Sequence, residues 1–402
     1  MATSGKPSAI SGGRMRTKKS EEKSGEKRKA GVMDLTFFVI VMLMLVLGIV
    51  MMFSASYAIA INETGDGFSY FRRQLVYGIG GTVIMLIISR IDYHVLKNSW
   101  IAYGLFGVSL FTLLLVPFIG TTYGGTNIRR GLSIGPINFQ PSEVMKAAII
   151  ILFAYIISVN YKRMNQFKYG ILPFGIILVP VCGLLVLQPH YSCIILICCI
   201  GIVMMFVGGA SFKHMLLIGL GGLTVVAGYI YYSMFFSDGG GSTFTNRIQA
   251  WLDPFNSPID TWQTQQSLIA IGSGGIFGLG IGNSRQKYLY LPESHNDFIF
   301  SVICEELGFV GGMLVILLFI SLIFRGFYIA SKAPDKFGMM LVVGFTFQIG
   351  IQALFNIAVS TNAVPNTGIS LPFFSYGGSA LLMQLAEMGV ILNISRQCTI
   401  ET

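Results

Sequence analysis

Apolar runs long enough to cross a bilayer recur along nearly the whole chain, and they constrain its fold more than any other feature. The hydrocarbon core of a membrane is about 30 Å thick, so a helix crossing it needs about 20 mostly apolar residues. Ten such runs can be drawn, roughly at 35–60, 74–91, 99–119, 141–159, 171–187, 191–208, 215–235, 298–329, 337–359 and 379–395. Charged residues make up 11% of the 402-residue chain, against about 25% in soluble domains, which excludes one large soluble core. Segments in lipid must satisfy their own backbone polar groups, and runs of this length do so as helices. The expected fold is an all-α integral membrane protein of about ten transmembrane helices.

Charge orients the spans. Nine Lys/Arg precede residue 33, interleaved with Glu21, Glu22 and Glu26. Such an arm suits nucleic acid in a soluble protein, but here it precedes a span. It is therefore read as a disordered basic cytoplasmic tail, residues 1–33, with no nucleic-acid partner and no cleavable signal. With the amino terminus inside, nineteen Lys/Arg fall on the inner side and seven on the outer, and Lys146 falls in a span. Both termini are then cytoplasmic, the membrane domain covers 34–396, and 397–402 form a short inner tail. The segments 120–140, 236–297 and 360–378 face outward, with 236–297 a large extracellular loop between spans seven and eight. The six cysteines lack metal or disulfide spacing and read as reduced packing residues.

Carboxylates are costly at membrane depth and mark function or tight pairing. Glu143 and Lys146 are three apart, on one helix face, either as a neutralising pair or as part of a site for an anionic substrate. Asp297 opens the eighth apolar run with no cation beside it. It is a candidate catalytic group, with a helix N-cap as the plainer alternative. A continuous helix would carry Glu305 about 12 Å deeper, towards mid-membrane, with Glu306 next to it; these two read as a relay or a hydrogen-bonded pair. The glycine-rich stretch 272–282 lacks the pattern and setting of a nucleotide loop and reads as close packing or a re-entrant turn. The outward loop 365–379 is rich in Pro, Gly and Ser and suits a cavity lining. No metalloprotease, Walker or serine-nucleophile motif is present. The residues alone leave open whether this outward polar site moves a molecule or transforms one.

Several segments in order resemble the SEDS family of shape, elongation, division and sporulation proteins. They are Gln140-Pro141-Ser142-Glu143 with Lys146, Arg247 through Asp253-Pro254, Pro292 through Phe298, Glu305-Glu306-Leu307-Gly308, and Gly368 through Phe373 with Ser375 through Ser379. The resemblance spans nearly all of the chain after the tail. It implies a ten-span peptidoglycan glycosyltransferase in the bacterial cytoplasmic membrane, polymerising lipid II on the outer face beside a class B penicillin-binding protein. It implies Asp297 as general base. Arg130, Glu143, Lys146, Arg247, His295, Ser375 and Ser379 are the candidates for substrate binding, with Gln140, His190, Glu305 and Glu306 in support. A divalent cation (Mg or Mn) is a candidate cofactor, with no organic cofactor expected. A lipid flippase, or a scaffold that only recruits the transpeptidase, is the rival reading. Two positions depart from the family pattern. His190 stands where many members carry Asp, as in sporulation and division subgroups, and Gly131 follows Arg130 in place of Trp.

Overall fold

The computed structural model describes residues 31–122, 129–134, 137–217, 219–220, 251–255 and 261–398. Its helices are α1 (Leu35–Thr64), α2 (Ser69–Ile88), α3 (Ser99–Ile119), α4 (Pro141–Asn160), α5 (Leu172–Leu187), α6 (Tyr191–Val207), α7 (Trp262–Ser273), α8 (Ile299–Lys332), α9 (Lys336–Ser360) and α10 (Gly378–Gln397). Nine of the expected spans coincide with helices other than α7; most of the remaining one, 215–235, lies outside the described residues, as do 1–30 and 399–402 of the two tails. Among the described residues, eight helical stretches are long and apolar enough to cross a membrane, and α6 is a shorter apolar helix. The protein is a multi-pass, essentially all-helical membrane protein.

Two features depart from a bundle of plain spans. The outward segment after α3 forms a small antiparallel meander, β1 (Thr121–Thr122), β2 (Arg129–Ile134) and β3 (Ile137–Phe139), with Leu132 opposite Phe139 and Ile134 opposite Ile137. In addition, α7 sits inside the large outward loop.

The helix termini are tied in a way that respects the alternation of spans. At the cytoplasmic end, Asp34 caps α1 by accepting from the Phe37 amide at 2.8 Å, and it pairs with Arg325 near the end of α8 at 2.9 Å. Asp335 caps α9 through the Gly338 amide (2.9 Å). It also accepts from the Tyr93 hydroxyl at 2.7 Å and from Lys97 at 3.1 Å. The α2–α3 connector is thereby fastened to the α8–α9 connector. At the outer end the Gln140 amide donates to Ser379 Oγ (3.3 Å), joining the starts of α4 and α10.

The helices sort into a centre and a rim. In α4, 78% of the spanning window is buried, and in α9 72%, against 22% in α2 and α3. Hydropathy does not separate them, because lipid and protein interior are equally apolar. The polar residues do: α9 carries Gln348, Gln352 and Asn356 at four-residue intervals, and all three are buried. Such a stripe costs free energy unless it meets partners inside the bundle.

Helix α8 is broken at Gly308, whose φ of 68° and ψ of −167° are not helical. A Cβ there would meet the Gly278 nitrogen at 2.3 Å and the Ile276 carbonyl oxygen at 2.4 Å. Both the backbone conformation and the close approach require glycine. The segment 274–282 runs against the break, with the amides of Leu279 and Gly280 donating to the carbonyls of Glu305 (3.0 Å) and Glu306 (2.9 Å).

Candidate active site

The loop 365–378 organises the site. It enters the outer part of the bundle so closely that a Cβ on Gly48 of α1 would lie 2.2 Å from the Phe373 carbonyl oxygen. Irregular backbone at this depth needs every polar group paired, and side chains from the surrounding elements supply the partners. Gln352 donates to the Ser370 carbonyl (3.1 Å), Asn356 to that of Ile369 (2.7 Å), and Gln74 to that of Ser375 (3.3 Å). Gln384 accepts from the Phe373 amide (3.0 Å), and Ser375 Oγ accepts from the Leu371 amide (2.7 Å).

The same loop holds the segment carrying Asp297. Three consecutive carbonyls are each fixed: His295 by the Tyr376 amide (2.9 Å), Asn296 by Ser375 Oγ (2.6 Å), and Asp297 by Asn356 Nδ2 (2.7 Å). Asn356 thus bonds the loop and Asp297 at once. Helix α8 begins at Ile299 with Phe298 in the cap position and no side-chain cap bond. The capping role that would explain Asp297 structurally is not the one it fills. Its carboxylate is half-buried and lies against Gly368, where a Cβ would sit 3.3 Å from Oδ2.

Other expected residues border this loop. Lys146 and Glu143 form a buried ion pair at 2.9 Å, and Lys146 also donates to Gln352 Oε1 (3.2 Å), which ties the pair to Ser370. Ser379 joins Gln140 as described. His190 is buried in the turn before α6, and Ser192, two residues on, donates to the Thr367 carbonyl beside Gly368. His295 is 8% exposed. It packs between the rings of Tyr70 (5.3 Å) and Tyr376 (6.0 Å), and Nδ1 has no hydrogen-bond partner among the described residues. Burial pushes its pKa below the ordinary 6.5, with Glu293 and Glu63 pulling part of the way back. All of Arg247 and the side chain of Arg130 lie outside the described residues; the backbone of Arg130 is in β2.

Glu305 and Glu306 belong to a different cluster. Glu305 accepts from Ser284 Oγ and from the Arg285 amide (2.9 Å). Glu306 accepts from Ser54 Oγ at 2.6 Å and pairs with Lys287 at 3.0 Å, both side chains being buried. Lys287, expected in the outward loop, is thus an internal countercharge. The expected mid-membrane depth is also corrected. Ser54 lies twenty residues beyond Asp34, about 30 Å along α1, a full hydrocarbon thickness from the cytoplasmic end. By that measure the glutamates sit near the outer end of the bundle, just before the break at Gly308.

Sequence reasoning missed Gln352, Asn356, Tyr70 and Tyr376. The four-residue spacing of α9's polar stripe was the available signal for the first two; for the tyrosines there was none. Among the described residues no three His, Cys, Asp or Glu side chains converge on a metal site.

The chain matches, over residues 34–400, the family model of cell cycle proteins named for FtsW, RodA and SpoVE. It belongs to that family. It is 38% identical over 364 residues to the stage V sporulation protein E of Bacillus subtilis (strain 168), covering 90% of this chain and 97% of the relative. It is 37% identical over 365 residues to the probable peptidoglycan glycosyltransferase FtsW of Geobacter sp. (strain M18), covering 90% and 96%. Among solved structures it resembles a chain of a complex described as "Structural coordination of polymerization and crosslinking by a peptidoglycan synthase complex". There the TM-score is 0.74 at 27% identity, over 92% of this chain and 99% of that one. It also resembles the rod shape determining protein RodA of Thermus thermophilus, with a TM-score of 0.66 at 26% identity, over 92% and 98%. In this FtsW/RodA/SpoVE member the motifs around 140–146, 292–298 and 368–379 come together at one outer loop, while Glu305-Glu306 hold the re-entrant glycine segment.

Proposed function

We propose that the protein is a peptidoglycan glycosyltransferase that polymerises lipid II on the outer face of the membrane, in division or sporulation, with Asp297 as general base. The observation that carries this reading is the state of Asp297: a half-buried carboxylate, released from helix capping, on backbone clamped at three successive carbonyls. General-base catalysis needs a carboxylate held in place yet reachable.

In the proposed step Asp297 takes the proton of the acceptor sugar hydroxyl. The freed oxygen forms a bond to the anomeric carbon of the donor. The bond from that carbon to the lipid diphosphate breaks, and the diphosphate leaves with the electron pair. A single displacement inverts the anomeric centre. Negative charge grows on the departing diphosphate, and fixed cations that meet it lower the barrier. Lys146 is held for that purpose by Glu143 and Gln352, with Arg130 and Arg247 as further candidates. A class B penicillin-binding protein is the proposed cross-linking partner; the naming of the related synthase complex, polymerization together with crosslinking, supports that pairing.

The test is glycan synthesis by the purified full chain, reconstituted with candidate transpeptidases and supplied with lipid II. Asp297→Asn keeps the size of the side chain and removes the base, and a loss of about 10²–10⁴-fold is expected. Polymer made at the normal rate by folded Asp297→Asn protein overturns the assignment.

A further inference from the structure

Three ionisable side chains meet inside the bundle with charges that do not balance. Lys146 and Glu143 are paired on α4, with side chains 4% and 10% exposed. A second carboxylate, Glu387 of α10, is buried beside them and interacts with Lys146 through space. Helix α9 joins the two sides. Gln352 accepts from Lys146 at 3.2 Å, and one turn away Gln348 donates to both oxygens of Glu387, at 3.0 and 2.9 Å. One ammonium thus stands against two carboxylates.

Depth makes the surplus charge expensive. Both α4 and α10 run inward from the outer face. Lys146 lies five residues past Pro141, about 8 Å along its helix, and Glu387 nine residues past Gly378, about 14 Å. The latter is close to the middle of a hydrocarbon core of about 30 Å, where an uncompensated carboxylate costs most. The other groups around Glu387 offset no negative charge. It lines a cavity of about 270 Å³ whose remaining polar residues are Asp92, Tyr93 and Asn393, at the inner end. Asp92 is itself acidic and is held by the His94 ring (2.7 Å). Asn393 accepts from the Tyr93 amide (2.9 Å) and donates to the Ser89 carbonyl (3.0 Å). Cys193 of α6 borders Lys146 and supplies no positive charge. Glu305, another buried carboxylate, differs in lying at the outer end, where it accepts from a hydroxyl and a backbone amide. A buried acid with one neutral amide as its partner is cheaper to keep neutral than ionised.

We propose that Glu387 holds a proton at neutral pH and, as a positioning residue, thereby keeps Lys146 free to meet the anionic leaving group. With Glu387 neutral, the trio carries no net charge, because Glu143 alone balances Lys146. Once ionised, Glu387 adds a second anion that competes for the ammonium and repels a diphosphate. Its part in catalysis rests on the glycosyl transfer proposed above; its protonation does not.

The test combines infrared difference spectroscopy and kinetics on the full chain in nanodiscs. At pH 7 the carbonyl band of a protonated carboxyl, shifted by D2O, is expected in the wild-type protein and absent from Glu387→Gln. Gln348→Leu removes the hydrogen bonds to Glu387 and should move the band to higher frequency, which assigns it independently if Glu387→Gln fails to fold. Raising the pH removes the band as Glu387 ionises. In Lys146→Met, which takes away the nearby cation, the band should persist to higher pH. Over the range in which the wild-type band disappears, kcat/KM for lipid II polymerisation should fall about tenfold per pH unit, the behaviour of one group that must stay protonated. Glu387→Gln should lose that alkaline limb. The spectrum reads the proton whether or not polymer is made, so this proposal and the glycosyltransferase reading fail separately. A wild-type spectrum identical to that of folded Glu387→Gln at pH 7, or a band that neither Gln348→Leu nor Lys146→Met moves, overturns the protonation. An alkaline limb of equal midpoint in wild type and Glu387→Gln overturns the link to Lys146.

Discussion

At the residue scale, His295 shows how a buried titratable group sets a pH dependence. Burial among Tyr70, Tyr376 and the loop holds its pKa below the 6.5 of a free histidine, so the folded state disfavours the protonated ring. The linkage sign follows: above pH 6.5 the ring is neutral in both states and contributes no pH slope. As the pH falls below 6.5 the unfolded chain takes up a proton that the folded chain resists, and stability is lost until the folded pKa is passed. Thermal unfolding of the purified protein from pH 7.5 to 5 should show a falling midpoint below 6.5, with a smaller slope in His295→Gln. Equal slopes in the two proteins would remove His295 as the cause. From sequence position alone a cap was the plainer role for Asp297, and the start of α8 at Ile299 with Phe298 in the cap position removes it.

At the element scale, the eighth span is two pieces, and the reason was hard to read in the sequence. The run 298–329 is apolar throughout, and a single glycine inside such a run is ordinary. What breaks it is the approach of the segment 274–282 from far along the chain, a tertiary contact that no local pattern encodes. The pairing of Lys287, which keeps its place in the outward segment, was hidden for the same reason: its partner Glu306 is nineteen residues away, across a turn whose course depends on that contact. Two predictions follow from this packing. Gly308→Ala places a Cβ 2.3 Å from the Gly278 nitrogen at a positive φ and should cost at least about 2 kcal/mol, read as a lowered thermal midpoint with loss of the loop's protection from proteolysis. Lys287→Met leaves Glu306 buried without its cation and should cost about 3–5 kcal/mol. The double variant Lys287→Met/Glu306→Gln should recover a large part of that loss, because the unpaired charge has gone. If the double variant is no more stable than Lys287→Met, packing rather than charge is what Lys287 supplies.

At the scale of the whole molecule, the count of spans and the bias of Lys/Arg were legible because the bilayer imposes length and sidedness on each segment separately. The arrangement of helices was not, since lipid-facing and protein-facing residues are equally apolar. Polar residues are the exception, and α9 carries the decisive set. Its stripe faces α4 through Gln352 and Lys146, and reaches α10 through Gln348 and Glu387. Through Asn356 it meets both the outer loop and Asp297. The central helices are therefore a frame that fixes the distance between the proposed base and the proposed cation. Asn356 is the point where that frame touches Asp297, through backbone and not through the carboxylate. Asn356→Ala should leave two buried carbonyls unpaired, at about 1–3 kcal/mol each, and let Asp297 drift. A positioning role makes a distinct kinetic prediction: kcat for lipid II polymerisation falls, because near-attack geometry is lost, while KM changes little, because Asn356 touches no substrate. Asn356→Asp cannot donate and should behave like the alanine variant. A rise in KM at unchanged kcat would instead make Asn356 part of the substrate-binding surface, and the frame would lose its proposed part in catalysis.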